Sequence, residues 1–311
     1  GQSMELIKEK FSKRYHISDN TIIENKIDWN VIDRIYADFN KFKDSYETQA
    51  NFIANTLRTH KKIHSVKARV KDGERLIEKI IRKTPDRKEK YGEDFQFTVD
   101  NYKNEITDLI GIRAIHIFKD DWEDIHNFIL RTWKVIEITA NVREGDDTKR
   151  FEELDIQIKS RKSGYRSVHY LIEFFPTNQQ VIAEIQVRTI FEEGYGEIDH
   201  QLRYSHSQIP EVLELNLLLF NRIAGSSDEM ASLINLLNKN WTEMEEKYEN
   251  IIEQKNNQIK ELIDMIEQKV QLDEKDKESI LSSLDDIILK DNLTKLTDDM
   301  AKSFGTVPKE L

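Results

Sequence analysis

Cysteine is absent from the 311-residue chain, proline occurs four times and glycine ten times. Without thiols there is neither a disulfide nor a thiolate–zinc site, and a reducing compartment, the cytoplasm, is the expectation. So few turn-formers argue against an all-β design and favour long helices. No stretch of about eighteen apolar residues is available to cross a bilayer as a helix. No secretory leader is recognisable, and Gly1-Gln2-Ser3 ahead of Met4 reads as a cloning remnant. The patterns GxxxxGK[ST] and GxGxxG are missing too, so P-loop and Rossmann phosphate binding do not apply. Neither an internal repeat nor a low-complexity tract is evident.

What the chain does have is charge. Hydrophobic residues make up 38% and charged residues 34%, with a net charge of −11. An acidic chain is a poor non-specific ligand for nucleic acid, whose phosphates need clustered Lys and Arg. The charge is uneven, however. Lys61 to Lys90 holds twelve Lys or Arg against five Asp or Glu, and the positive sign returns between Lys159 and Arg166. A local cationic site in an acidic protein suits small polyanions such as nucleotides.

Apolar spacing predicts a helix over 28–60, with Trp29, Ile32, Ile35, Tyr36, Phe39 and Phe42 as its buried stripe. A second is expected over 72–83, carrying Leu76, Ile77, Ile80 and Ile81 and stopped at Thr84-Pro85. The segment 110–118 alternates as a strand, and 121–133 returns to helix. Strands are expected at 155–159, 168–175 and 181–187, the last two joined by a PTNQQ turn. This is an α+β core of at least four strands. From Pro210 onward strands vanish, and 211–303 reads as several helical segments. Ile252, Ile259, Ile263, Ile266 and Val270 form a coiled-coil-like seam, and Leu284, Ile287, Ile288 and Leu296 suggest a further helix. The expected organisation is an N-terminal helical segment (1–60), a core (61–208) and a helical extension (209–311) packed as a bundle on the core or on a second subunit.

Three constellations could carry chemistry. In the first, Glu184, Gln186 and Arg188 share one face of a strand that runs into a helix bearing Glu197, His200 and Arg203. Asp108 stands at the entry to another strand, with Arg113 five residues on. Alone, Asp108 could merely cap its segment. With Glu184 it could share one Mg²⁺, a hard cation that takes oxygen ligands and completes its shell with substrate phosphates. In the second, Arg69-x-Lys71 precedes Lys79. Lys71 and Lys79 are about two helical turns apart and could hold a triphosphate from one face; a solvated basic face is the commoner alternative. In the third, Lys162 to His169, Gly164 permits a turn, Tyr165 could stack on a base, and His169 begins the next strand. Taken alone, the stretch also reads as a hairpin turn with a core tyrosine.

Together, DLIGIR (108–113), SGYRSVHYLI (163–172) and AEIQVRT (183–189) resemble the synthetase domain of the RelA/SpoT family, which makes the alarmones ppGpp and pppGpp. The resemblance implies a nucleotidyltransferase-like mixed sheet flanked by helices. It implies transfer of the β,γ-pyrophosphate of ATP to the 3′-hydroxyl of GDP or GTP, with release of AMP. By this resemblance Asp108 and Glu184 hold Mg²⁺, and Glu184 doubles as general base. Arg69 and Arg113 sandwich the adenine, and Lys71 and Lys79 hold phosphates. Tyr165 stacks on the guanine, with His169, Gln186 and Lys159 as further acceptor contacts; His200 matches a histidine of the closing helix. Arg75 stands where the family usually has a serine, and Glu192-Glu193 where small alarmone synthetases often have an asparagine. No His-Asp dipeptide marks a hydrolase half, and TGS-like and ACT-like regions have no room, so a synthetase-only protein is expected. Two other readings remain open: a toxin relative that pyrophosphorylates the 3′ end of tRNA, and a catalytically silent nucleotide sensor. No membrane partner is implied, and self-association through the C-terminal helices is expected.

Overall fold

The computed structural model describes residues 6–205, 208–269 and 274–287. Gly1-Gln2-Ser3, Val270, Ile288 and Leu296 lie outside the described residues. Two compact units divide the chain, Gly1–Ser232 and Leu233–Leu311.

The first unit opens with three helices, α1 (Lys8–Arg14), α2 (Asp19–Glu24) and α3 (Trp29–Arg58). Strand β1 (Ser65–Val70) and helices α4 (Gly73–Tyr91) and α5 (Tyr102–Glu105) follow. Then come β2 (Ile110–His116), α6 (Trp122–Thr132), β3 (Lys134–Arg143), α7 (Lys149–Glu153), β4 (Gln157–Arg161), β5 (Ser167–Phe174), β6 (Val181–Thr189) and α8 (Ile190–Ser205). The six strands form one mixed sheet in the order β1-β2-β6-β5-β3-β4. Pairs β2–β6 and β3–β4 are parallel and the others antiparallel.

Period-two alternation gives this sheet two unlike faces. Ile110, Ile112 and Ala114 of β2 lie beside Ala183, Ile185 and Val187 of β6. All six are buried, in one core with Ile35, Phe39 and Ile53 of α3, Ile77 and Ile80 of α4, and Ile125 and Ile129 of α6. Tyr170 of β5 is fully buried there, its hydroxyl accepting from Trp122 Nε1 at 3.1 Å and bonding His126 Nδ1 at 2.8 Å. The opposite face carries the polar residues of the same strands, and the site lies on it.

Two strands, β1 and β3, exceed the sequence expectation. In β1, Val66, Ala68 and Val70 alternate with Lys67 and Arg69, a pattern hidden inside the basic run. The alternation of β3 is broken by a bulge between Val135 and Glu137. The helix expected to stop at Thr84-Pro85 instead continues to Tyr91 with Pro85 inside it. An interior proline costs about 3 kcal/mol. Thr84 and Lys88 extend the buried stripe of Leu76, Ile77, Ile80 and Ile81 past it, so packing offsets the lost hydrogen bond.

Where several helical segments were expected, one helix, α9, runs Glu211–Lys269 for 59 residues. Gly225 is the sole glycine in that span and proline is absent from it, so one interruption of about 1 kcal/mol does not break it. The later part of α9 and helix α10 (Glu274–Ile287) make up the described second unit. Lys277 Nζ there donates to the Glu267 carbonyl at 2.8 Å. Ile252, Ile259, Ile263 and Ile266 are half-buried among mostly exposed neighbours. Among the described residues no helix is long and apolar enough to cross a membrane.

Candidate active site

The polar sheet face is built by register. Glu184 and Gln186 of β6 lie beside Gly111 and Arg113 of β2, which in turn face Arg69 and Lys67 of β1. On the other side, His169 of β5 stands beside Gln186. Residues from three neighbouring strands, β1, β2 and β6, thus line one cleft, with His169 of β5 bordering it beside Gln186. Its narrower part, about 420 Å³, is lined by Arg69, Asp108, Arg113, Glu184 and Gln186 among others. A wider part of about 820 Å³ shares Arg69, Arg113 and Gln186 and adds Arg75, Tyr165, Arg188 and His200.

Asp108 sits two residues ahead of β2, opposite the end of β1, where the Lys71 amide donates to the Leu109 carbonyl at 2.8 Å. Lys71 therefore precedes α4 rather than sharing a helix face with Lys79. A strand end and a helix bring the two ammonium groups together: Lys71 Nζ is 3.1 Å from Asp108 Oδ2, and Lys79 Nζ 2.9 Å from Oδ1. Burial alone would raise the Asp108 carboxyl, but the two lysines outweigh it and hold it below its ordinary value. Burial lowers the Lys71 ammonium despite Asp108. Each carboxylate oxygen thus faces one ammonium, and both lysines share in holding the carboxyl down. Glu184 differs in sign. Burial raises its carboxyl, repulsion from Asp108 adds to this, and Gln186 Nε2, donating to Oε1 at 2.7 Å, opposes it.

Asp108 and Glu184 are oxygen donors of the kind a magnesium ion takes, and Glu184 is close enough to feel the charge of Asp108. Among the described residues no three His, Cys, Asp or Glu gather as a metal cage, so phosphates and water would supply the remaining ligands, as suits magnesium.

Beyond Gln186 the floor continues into Tyr165 and His169. The Tyr165 hydroxyl is 3.1 Å from His169 Nε2 and 3.3 Å from Gln186 Oε1. His169 is buried and near the charges of Arg161, Arg188 and Lys159, which together push its imidazole down to about 4. It is neutral at physiological pH, so its 3.8 Å approach to Glu184 is not an ion pair. The Arg188 guanidinium lies over the Tyr165 ring, 5.6 Å from its centre.

Arg113, the expected adenine contact, is paired with Glu193 at 3.3 Å and with Glu197. Arg75 lies between the rings of Tyr15 (5.0 Å) and Tyr204 (5.1 Å). His200 is exposed at the rim, stacked on Tyr204 at 6.3 Å. Lys159 stands apart: it is exposed on the edge strand β4 and does not line either part of the cleft. Sequence reading missed Lys67, whose strand was hidden, Arg161, which bonds Asn141 Oδ1 at 2.7 Å beside His169, and the tyrosines flanking Arg75. The alternation of SVKARV was the one signal for Lys67; the others depend on tertiary neighbours.

Residues 68–209 match the family model described as a region found in RelA / SpoT proteins. The GTP pyrophosphokinase YwaC of Bacillus subtilis is 27% identical over 195 residues, 60% of this chain and 81% of that protein. The GTP pyrophosphokinase YjbM of the same organism is 27% identical over 132 residues, 41% of this chain and 56% of that protein. The crystal structure of the small alarmone synthetase 1 from Bacillus subtilis aligns with a TM-score of 0.50 at 23% identity, covering 65% of this chain and 97% of that one. The same synthetase bound to its product pppGpp gives 0.50 at 23% identity, covering 63% and 95%. The structural likeness is one of fold.

Proposed function

We propose, from the match of residues 68–209 to the model of a region found in RelA / SpoT proteins, that the chain is an ATP-dependent pyrophosphokinase that makes (p)ppGpp from GDP or GTP. The observation that carries this reading is Asp108 held between Lys71 and Lys79 beside Glu184 on the cleft floor.

In the proposed reaction the acceptor's 3′-oxygen attacks the β-phosphorus of ATP. The bond from that phosphorus to the α,β-bridging oxygen breaks, and AMP leaves. Phosphoryl transfer asks mainly for positioning and charge neutralisation. Lys71 and Lys79 are cations fixed before substrate arrives, so little reorganisation is needed when charge develops. Arg69 and Arg113 flank the adenine. Glu184 takes the hydroxyl proton, and the burial that raises its carboxyl also raises its basicity. Mg²⁺ held by Asp108 and Glu184 would add charge neutralisation at the phosphates. Tyr165, His169 and Gln186 form the acceptor side. Lys159 is left with an electrostatic role through His169.

One observation favours the tRNA reading. The Tyr15–Arg75–Tyr204 stack is an aromatic and cationic rim, with Tyr204 71% exposed, and such surfaces receive single-stranded bases. Self-association is supported by Val212, Leu215, Leu219 and Ile223, an exposed apolar stripe at the start of α9.

The deciding experiment incubates the protein with γ-labelled ATP and Mg²⁺ and offers GDP, GTP or deacylated tRNA separately. Label in the guanosine nucleotide is the expected result. Label in tRNA alone would replace this reading with the second, and label in no acceptor would overturn both.

A further inference from the structure

The turn that presents Tyr165 is held from outside the sheet. Gly164 takes φ +76°, a conformation that favours glycine. The turn's Ser163 carbonyl accepts from the Tyr195 hydroxyl of α8. The next carbonyl, of Gly164, accepts from Asn221 Nδ2 of α9 at 2.7 Å. Asn221 Oδ1 in turn accepts from Arg166 Nη1 at 3.1 Å. A single side-chain amide therefore grips the residues on both sides of Tyr165. Arg166 is fixed on its other edge by Asp146, at 2.8 and 3.1 Å.

Asn221 is 0% exposed. A buried amide without partners is costly, and this one finds them on the turn. The fit is close. A Cβ on Gly164 would lie 2.6 Å from Asn221 Nδ2, and one on Gly225 would lie 3.2 Å from Arg166 Nη2. Leu217 and Ala224, on the same stretch of α9, form a small buried cluster with Tyr195. Packing of the helix start against α8 therefore sets where the amide stands.

We propose that Asn221 is a positioning residue for the acceptor nucleotide, holding the Ser163–Arg166 turn so that Tyr165 meets His169 and Gln186. The word acceptor rests on the proposed function; the grip on the turn does not. It makes the first turns of the helical extension part of the nucleotide site.

The test uses the full chain and the variant Asn221→Ala, with Arg222→Ala, an exposed neighbour on the same helix, as control. Kinetics are run with ATP and each acceptor, and amide hydrogen exchange is followed across 162–167. Loss of two buried hydrogen bonds is expected to raise the acceptor KM about tenfold or more. The KM for ATP and kcat should stay near wild type, and exchange across the turn should speed up in Asn221→Ala alone. An equal rise in both KM values, or unchanged exchange in a folded variant, overturns the proposal. If the wild-type protein turns over with no acceptor, the proposed function fails while exchange still decides the grip: faster exchange supports it and unchanged exchange overturns it. Should Asn221→Ala fail to fold, Asn221→Asp keeps the volume and the acceptor for Arg166 but sets a carboxylate oxygen against the Gly164 carbonyl in place of the donor, and the same readouts apply.

Discussion

Glu193 gathers two arginines from neighbouring strands: its Oε1 lies 3.3 Å from Arg113 Nη1, and its Oε2 2.5 Å from Arg188 Nη2. Arg188 is 3% exposed, and its other carboxylate, Glu197, is 3.9 Å away. Breaking a buried pair outright costs about 3–5 kcal/mol, but both arginines keep Glu197, which pairs with Arg113 and lies 3.9 Å from Arg188. Glu193→Ala should therefore lower the unfolding free energy by less than about 3 kcal/mol. Glu193→Gln, which keeps an acceptor, should lose less. Denaturant titration checks both, and an unshifted midpoint in Glu193→Ala would contradict the pairing.

Lys71 and Lys79 share the Asp108 carboxylate, one ammonium on each oxygen. Asp108→Asn keeps the shape and one acceptor while deleting the charge that orders Lys71 and Lys79. Under the proposed reaction, kcat/KM should fall by about 100-fold or more. ATP binding, followed by calorimetry, should survive, since two unpaired lysines remain beside the phosphates. Near-wild-type turnover in a folded Asp108→Asn protein would sink the mechanism.

The floor of the cleft was legible in the sequence because a strand's period of two is strict. Glu184, Gln186 and Arg188 had to share a face, and polar residues on that face pointed to a site. The convergence of Lys71 and Lys79 was foreseen for the wrong reason. Helical spacing suggested it, whereas the β1–β2 ladder delivers Lys71 and α4 delivers Lys79. Pro85 misled because a local rule lost to a buried stripe that only packing reveals. Asn221 carried no signal at all. An asparagine in a helix becomes meaningful only when Gly164 and Arg166 stand opposite it.

Glu192 supplies a pH test away from the cleft. Burial pushes its carboxyl up to about 7, against donation from the Thr189 amide at 2.8 Å and with help from the charge of Asp228. A carboxyl raised in the fold keeps its proton after the unfolded chain has lost it. Its contribution to stability is thus full below the ordinary glutamate value and is lost as pH rises toward 7. Between the unfolded value of about 4.3 and the raised value of about 7, the wild-type Tm should fall relative to that of Glu192→Gln. Parallel Tm curves for the two proteins would exclude a raised carboxyl.

Tyr165 offers both a ring and a hydroxyl, and two substitutions separate them. Tyr165→Phe deletes the contacts with His169 Nε2 and Gln186 Oε1 but keeps the ring under Arg188. Tyr165→Ala deletes both. Stacking of a base on an aromatic side chain contributes about 1–3 kcal/mol, so Tyr165→Ala should weaken acceptor binding by about 10- to 100-fold. Tyr165→Phe should lose less, since the ring survives. ATP affinity should hold in both, because its expected contacts are Arg69, Arg113, Lys71 and Lys79. Calorimetric titration with each nucleotide reads the two affinities separately. If Tyr165→Ala weakened ATP and acceptor alike, the tyrosine would be a structural strut of the cleft and not the platform for the acceptor base.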